Sequence, residues 1–248
     1  MLPTVVATGL ELAAVLRPVR AGNAFEETVE RLLTAIRLGL VGPGEKFPAE
    51  RDLAAQLGVS RLTLREALRS LQQAGFVESR RGRFGGTFVM ASPPAPGRAE
   101  LLRQLREDGA RLDDVLTFRM AVETGAAQLL AQAVAGPIPP AAAEVLPARL
   151  AALAAAGPQD YRRQDTLFHL AIAELTGSPL LAAACADARM RTNDLLNAIP
   201  VLPRNIDHTA AQHTAIVAAI LSGDPDRARR AVAEHLEGTS ALLRGFLA

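Results

Sequence analysis

The chain has no tryptophan, one tyrosine and one cysteine, and its hydrophobic fraction of 49% rests on alanine more than on large side chains. Alanine is the strongest intrinsic helix former, and runs of aromatic or β-branched residues are few. A mainly α protein is therefore expected. The lone Cys185 has no internal disulfide partner, which suits a reducing compartment. Within LLAAACADA it reads as a small buried hydrophobe rather than a redox sensor. Membrane-length apolar runs are missing too, since a spanning helix needs about 18 such residues. Glu144, Pro147 and Arg149 interrupt the apolar stretch at 141–156. The opening MLPTVVATGLELAAVL lacks a basic start and a clean cleavage site, and Glu11 breaks it. A cytoplasmic protein that makes no membrane contact is expected.

A length of 248 residues gives room for two modest domains. The net charge of +1 hides a division, because residues 1–98 balance at +4 and the remainder at −3. Arg61, Arg65, Arg69, Arg80, Arg81 and Arg83 lie close together in the basic half. Such a cluster is the footprint of a polyanion partner, although a solvated charged face looks the same in sequence.

Residues 1–22 carry no strong pattern and are read as an extension. From Asn23, a plausible N-cap, the apolar residues Phe25, Val29, Leu32, Leu33, Ile36 and Leu40 recur at helical spacing until Gly42-Pro43-Gly44. Pro48 opens a second helix that runs to about Leu57. Gly58 supplies a left-handed turn, and Ser60 caps a third helix to about Ala74. Two helices joined by a glycine-containing turn form a helix-turn-helix. The following FVESRRGRFGGTFVM predicts two strands around a tip at 80–86, a wing. Pro93, Pro94, Pro96 and Gly97 mark a linker at 92–98. Helices are expected after it at about 99–107, 112–135, 141–155, 160–176, 179–198, 205–222 and 225–246. This predicts a winged helix-turn-helix domain over 23–91 and an antiparallel helical bundle over 99–248.

A recognition helix presents its N-terminal residues to base edges. Arg61 and Arg65 lie one turn apart, and each can offer a two-pronged donor to guanine. Ser60 and Thr63 are within reach of phosphate or base, and Arg51 is placed for a phosphate or a base. Leu64, Ala67, Leu68 and Leu71 form the buried face. Gly82, Gly85 and Gly86 permit close backbone approach to a groove.

The histidines are four in number and all lie in the second half. Asp165 and His169 share a helix face at i, i+4. His213 falls on the apolar stripe of Ile216, Val217 and Ile220, and His235 on that of Val232, Leu242 and Leu243. One inward histidine is ordinarily a hydrogen-bonded core residue. Three from three helices, together with an inward aspartate, would all be satisfied by a divalent transition metal. Zinc is the first expectation, with nickel or manganese as substitutes. His208 falls on another face. A core of satisfied histidines in a dimerisation module remains open, as does a metal site that activates water for hydrolysis.

The stretch PGEKFPAERDLAAQLGVSRLTLREALRSLQQAGFVESRRGRFGGTFV resembles the winged helix of GntR-family transcription regulators. That resemblance implies a homodimer on a palindromic operator, contacted by Arg51, Ser60, Arg61, Thr63, Arg65 and Gly82, with Arg81 as a further candidate. Glu50 and Glu66 are expected to brace arginines and helix ends rather than to touch DNA. The second half resembles the FCD domain of the FadR subfamily, in which D-x-x-x-H and a histidine on each of the last two helices bind a metal. Asp165, His169, His213 and His235 match that set. The resemblance also implies that Arg119, one turn before Glu123, faces the effector pocket and meets an acidic ligand, with Asn193 a further pocket candidate. An Arg119–Glu123 ion pair on the helix surface is the alternative. The expected function is a regulator, most often a repressor, controlled by a small organic acid bound near the metal. A regulator that senses the metal directly is the variant of that reading.

Overall fold

The computed structural model describes residues 12, 15–18, 24–82, 85–93, 109–135, 140–157, 159–197 and 203–247. The expected N-cap Asn23 and the helix at 99–107 lie outside the described residues, as does the side chain of His208. The chain divides into two compact units, one within Val6–Pro96 and one within Gly97–Ala248.

In the N-terminal unit, α1 (Ala24–Arg37), α2 (Glu50–Leu57) and α3 (Arg61–Gln73) precede β1 (Val77–Arg80) and β2 (Gly86–Val89). Helix α1 buries Thr28, Leu32, Ala35 and Ile36, while Phe25 is exposed. It stops earlier than the apolar spacing predicts. Gly39 adopts φ 70°, and Leu40 folds back so that its amide donates to Ala35 O at 2.9 Å. Leu40 thus enters the core from a turn. Gly58 at φ 65° closes α2 as expected, and Ser60 Oγ accepts from the Thr63 amide at 3.0 Å to cap α3. Both α1 and α2 pack on α3.

The wing pairs β1 with β2 antiparallel, Val77 opposite Val89 and Arg80 opposite Gly86. Arg80 is therefore a strand residue rather than part of the tip. The segment before α2 runs along the outer side of β2: Phe47 N donates to Thr87 O and Val89 N to Glu45 O, both at 2.9 Å. Two of the wing glycines are set by the backbone itself. A Cβ on Gly85 would strike the Arg80 carbonyl, and Gly86 lies at φ 146°, where side chains other than glycine are strained. Gly82, at φ 105°, has open space around it.

In the C-terminal unit, α4 (Gly109–Val134), α5 (Pro140–Ala154), α6 (Tyr161–Leu175), α7 (Pro179–Asn197), α8 (Pro203–Leu221) and α9 (Pro225–Leu247) follow the expected order. Helix α4 touches α6, α7, α8 and α9. Three-residue turns through Gly177 (φ 73°) and Gly223 (φ 66°) reverse the chain, so the contacting pairs α6–α7 and α8–α9 are antiparallel hairpins. Alanines at 126, 127, 131, 171, 173, 186, 188 and 219 are buried and permit close helix approach. Helix α6 is buried without interruption from Gln164 to Ala173. Its Gln164, Asp165, Thr166 and His169 must therefore find their partners inside the protein.

Candidate functional site

The recognition-helix candidates lie on one exposed end of α3. Arg61 is solvent-exposed and makes no ion pair among the described residues. Arg65 Nε lies 2.7 Å from Glu50 Oε2 of the preceding helix, the bracing role expected of Glu50. Arg51 pairs with its neighbour Asp52 at 2.9 Å and remains highly exposed. Ser60 and Thr63 hydroxyls lie 2.8 Å apart, so both are partly committed to the cap. Arg81 and Gly82 sit at the start of the wing tip, after Arg80, whose guanidinium stacks 4.3 Å from the Phe88 ring centre.

The four proposed ligands converge in the helical unit. One nitrogen or oxygen from each of Asp165, His169, His213 and His235 lies within 4.8 Å of the others, and all four residues are buried. His169 Nε2 and His235 Nε2 face each other at 3.2 Å, and His213 Nε2 is 3.2 Å from Asp165 Oδ1. The far nitrogens point elsewhere. His169 Nδ1 lies 2.8 Å from Glu123 Oε2, and His235 Nδ1 lies 3.3 Å from Gln212 Oε1. With each Nδ1 proton turned to its oxygen, two Nε2 lone pairs confront one another. A shared proton or a cation relieves that repulsion. His213 Nε2 has the Asp165 carboxylate beside it, and its buried Nδ1 has no hydrogen-bond partner. The donor set therefore fits a divalent transition metal.

Protonation states agree with this. Burial raises the Asp165 carboxyl, but Arg189 and the facing His213 and His169 outweigh it and hold it well below the usual range. For Glu123 burial is likewise outweighed, by Arg119, His169 and Arg189, so it too stays ionised. Burial lowers the affinity of His169 for a proton despite Glu123. Burial, with His169 and His213 beside it, lowers His235 well below its ordinary value. Neutral imidazole is the form that ligates. The two carboxylates are matched in charge by two buried guanidiniums, Arg119 and Arg189.

Arg119 does pair with Glu123, at 2.9 Å, but in the interior: the side chains are 1% and 3% exposed, which corrects the surface pairing considered from sequence. One Arg119 terminal nitrogen remains without a partner. Asn193 is buried, donates to Thr166 Oγ1 at 2.9 Å, and leaves its own oxygen unpartnered. Neither lines the described cavity of about 210 Å³, which Leu150, Leu153, Tyr161, Ala210, His213 and Thr214 enclose together with small residues. Tyr161 shares a 2.6 Å hydrogen bond with Thr209 at this side, and burial together with nearby Asp165 pushes its hydroxyl up to about 12.

Arg189 and Gln212 were missed from sequence, and Glu123 was read only as the partner of Arg119. Arg189 ion-pairs with Asp165 and lies 3.8 Å from Glu123. A signal did exist: Ala182, Cys185, Ala186, Arg189 and Asn193 recur at three- and four-residue spacing and all are buried. Cys185 is free and buried, and burial raises its thiol, as expected for an inert packing residue. Among the described residues no helix is long and apolar enough to cross a membrane.

Comparison with known proteins gives these features a family. Residues 25–89 match the bacterial regulatory proteins of the gntR family, and residues 114–238 match the FCD domain. The chain is 32% identical over 212 residues to a candidate HTH-type transcriptional regulator, RmpR of Mycobacterium gastri, covering 84% of this chain and 76% of that protein. It is 30% identical over 236 residues to a candidate L-lactate dehydrogenase operon regulatory protein of Escherichia coli, covering 89% and 86%. The solved structure of E. coli McbR/YncC shares the fold, with a TM-score of 0.52 at 22% identity, covering 91% of this chain and 99% of that one. The chain belongs to the GntR family of bacterial transcription regulators, and its helical half is an FCD domain.

Proposed function

We propose that this DNA-binding regulator is a homodimeric repressor whose operator affinity is set by a small organic acid bound beside a divalent metal in the FCD domain. In this reading residues 23–91 bind DNA, 92–98 link, and 99–248 bind effector and dimerise. The observation that carries it is the convergence of three imidazoles and Asp165 on one point, with Glu123 and Gln212 at the far nitrogens of two of them.

Asp165, His169, His213 and His235 would hold the metal, and a bound divalent cation supplies a Lewis-acidic anchor for an anion. Glu123 holds the His169 ring with Nδ1 turned away from the ligand point. The charge argument favours an acid. Because two guanidiniums already balance two carboxylates, a divalent cation leaves an excess positive charge in a buried place, and an anionic ligand removes it. A cavity of about 210 Å³ reaches His213, and is smaller than the ~300–1,000 Å³ of drug-sized pockets. A small carboxylate fits that space. The name of the E. coli relative refers to the operon for a dehydrogenase of one such acid, L-lactate. Control requires that the acid bind one arrangement of the dimer better than the other.

On the DNA side, Arg61 and Arg65 would read bases in the major groove, while Arg51, Ser60, Thr63, Arg81 and Gly82 contact backbone or groove edges. A metal-assisted hydrolase is set aside, because the relatives matched are regulators rather than enzymes.

The Arg189–Asp165 pair favours a second reading, in which the cation itself is the signal. Asp165, shared with a bound cation, would hold Arg189 less tightly, and the packing of α7 on α6 would loosen with that pair. Elemental mass spectrometry on purified wild-type protein and on His213→Ala tests the shared premise. About one equivalent of transition metal in wild type, lost in the variant, is expected. Absence of metal from both after reloading overturns the metal-centred reading and leaves the DNA-binding one standing.

A further inference from the structure

Leu62 is 68% exposed, more than any other large hydrophobic side chain among the described residues of its unit. It is the second residue of α3 and points away from the buried Leu64, Ala67, Leu68 and Leu71. Every other apolar side chain of α3 belongs to that buried set. Around Leu62 the outward face is charged: Arg61, Arg65, Glu66 and Arg69 are all exposed. No element of its own unit covers it.

We propose that Leu62 reads the 5-methyl group of a thymine in the major groove, beside a base pair read by Arg61 or Arg65. This rests on α3 being the recognition helix. The first turn of such a helix is the part nearest the base edges, and thymine offers the only methyl group on the major-groove edge of unmodified DNA. An exposed branched alkyl group can gain there what it lacks in the free protein, namely burial against another apolar group. The flanking guanidiniums supply the complementary attraction to phosphates and guanine, so Leu62 adds sequence information rather than general affinity. Each half-site then holds a thymine adjacent to the arginine-read base pair.

The test uses the full chain. A half-site is first defined by selection from a randomised duplex pool. Each thymine is then replaced singly by deoxyuridine, which deletes the methyl group alone, and binding is followed by fluorescence anisotropy. For wild type, one thymine per half-site is expected to respond, with a loss of roughly three- to fivefold, the value of burying about one methyl group. Leu62→Ala, at an exposed position, is expected to bind the thymine and deoxyuridine duplexes equally. No responsive thymine in wild type, or an undiminished response in Leu62→Ala, overturns the proposal. Arg61→Ala and Arg65→Ala on the same duplexes separate the two levels. Lost affinity without any methyl response removes only the role of Leu62, whereas unchanged affinity in both removes the recognition helix itself.

Discussion

Glu123 stands between two charged systems. One oxygen pairs with Arg119 at 2.9 Å, and the other lies 2.8 Å from His169 Nδ1. It therefore fixes which nitrogen of His169 is offered to the ligand point, and it is itself held by a buried guanidinium. Replacing it by glutamine keeps the shape but removes the charge. Glu123→Gln is expected to weaken metal binding by about 10–100-fold, the usual cost of losing an outer-shell partner. Competition with a chromophoric chelator measures this, and unchanged affinity would remove the orienting role. The convergence of these four side chains was legible in the sequence, because Asp165–His169 is an i, i+4 pair and both His213 and His235 fall on apolar stripes. Arg189 was not recognised. It stands among Asp187 and Arg191, which do form an exposed pair at 3.1 Å, and apolar residues surround α7 closely enough to blur its inward face.

At the scale of elements, turns decide where helices end. Gly39 stops α1 before the apolar repeat does, and this was not readable because Leu40 continues the spacing while leaving the helix. Gly58, Gly177 and Gly223 were readable as stops because each stands just before the start of the next helix, Ser60 as a cap after Gly58, Pro179 after Gly177 and Asp224-Pro225 after Gly223. Gly223 has a further constraint, since a Cβ there would press on the backbone of Ala135 at the end of α4, 2.7 Å away. Gly125, inside α4, meets nothing within 4 Å. The two glycines are therefore expected to respond oppositely to alanine. Gly223→Ala should destabilise by more than about 1 kcal/mol, through both its positive φ and the clash. Gly125→Ala should stabilise by about 0.5–1 kcal/mol. Thermal unfolding of the two variants checks this, and a stabilised Gly223→Ala would contradict the turn geometry.

At the scale of the molecule, the buried cluster of Asp165, Glu123, Arg119 and Arg189 with His169 and His235 ties folding to pH. His169 and His235 have folded values below the ordinary one, so the unfolded chain takes up protons first as pH falls. Stability is lost from about pH 6.5 downward. Asp165 and Glu123 are also depressed in the folded state, so their contribution is present above the unfolded carboxylate value and is lost as pH falls below about 4. Both act in the same direction. The unfolding midpoint of the metal-free protein is expected to fall between pH 7 and 5 and again toward pH 3, and a rise on acidification would contradict the depressed values of these groups.

In the function proposed above, occupancy of the Asp165, His169, His213 and His235 cluster would control the grip of α3 on DNA. Operator affinity, measured by fluorescence anisotropy for metal-loaded wild type and for His213→Ala across a panel of small mono- and dicarboxylates, tests it most directly. At least one acid is expected to change the affinity of loaded wild type and to leave that of the variant unmoved. An operator affinity indifferent to every acid, or an equal response in the variant, would contradict it.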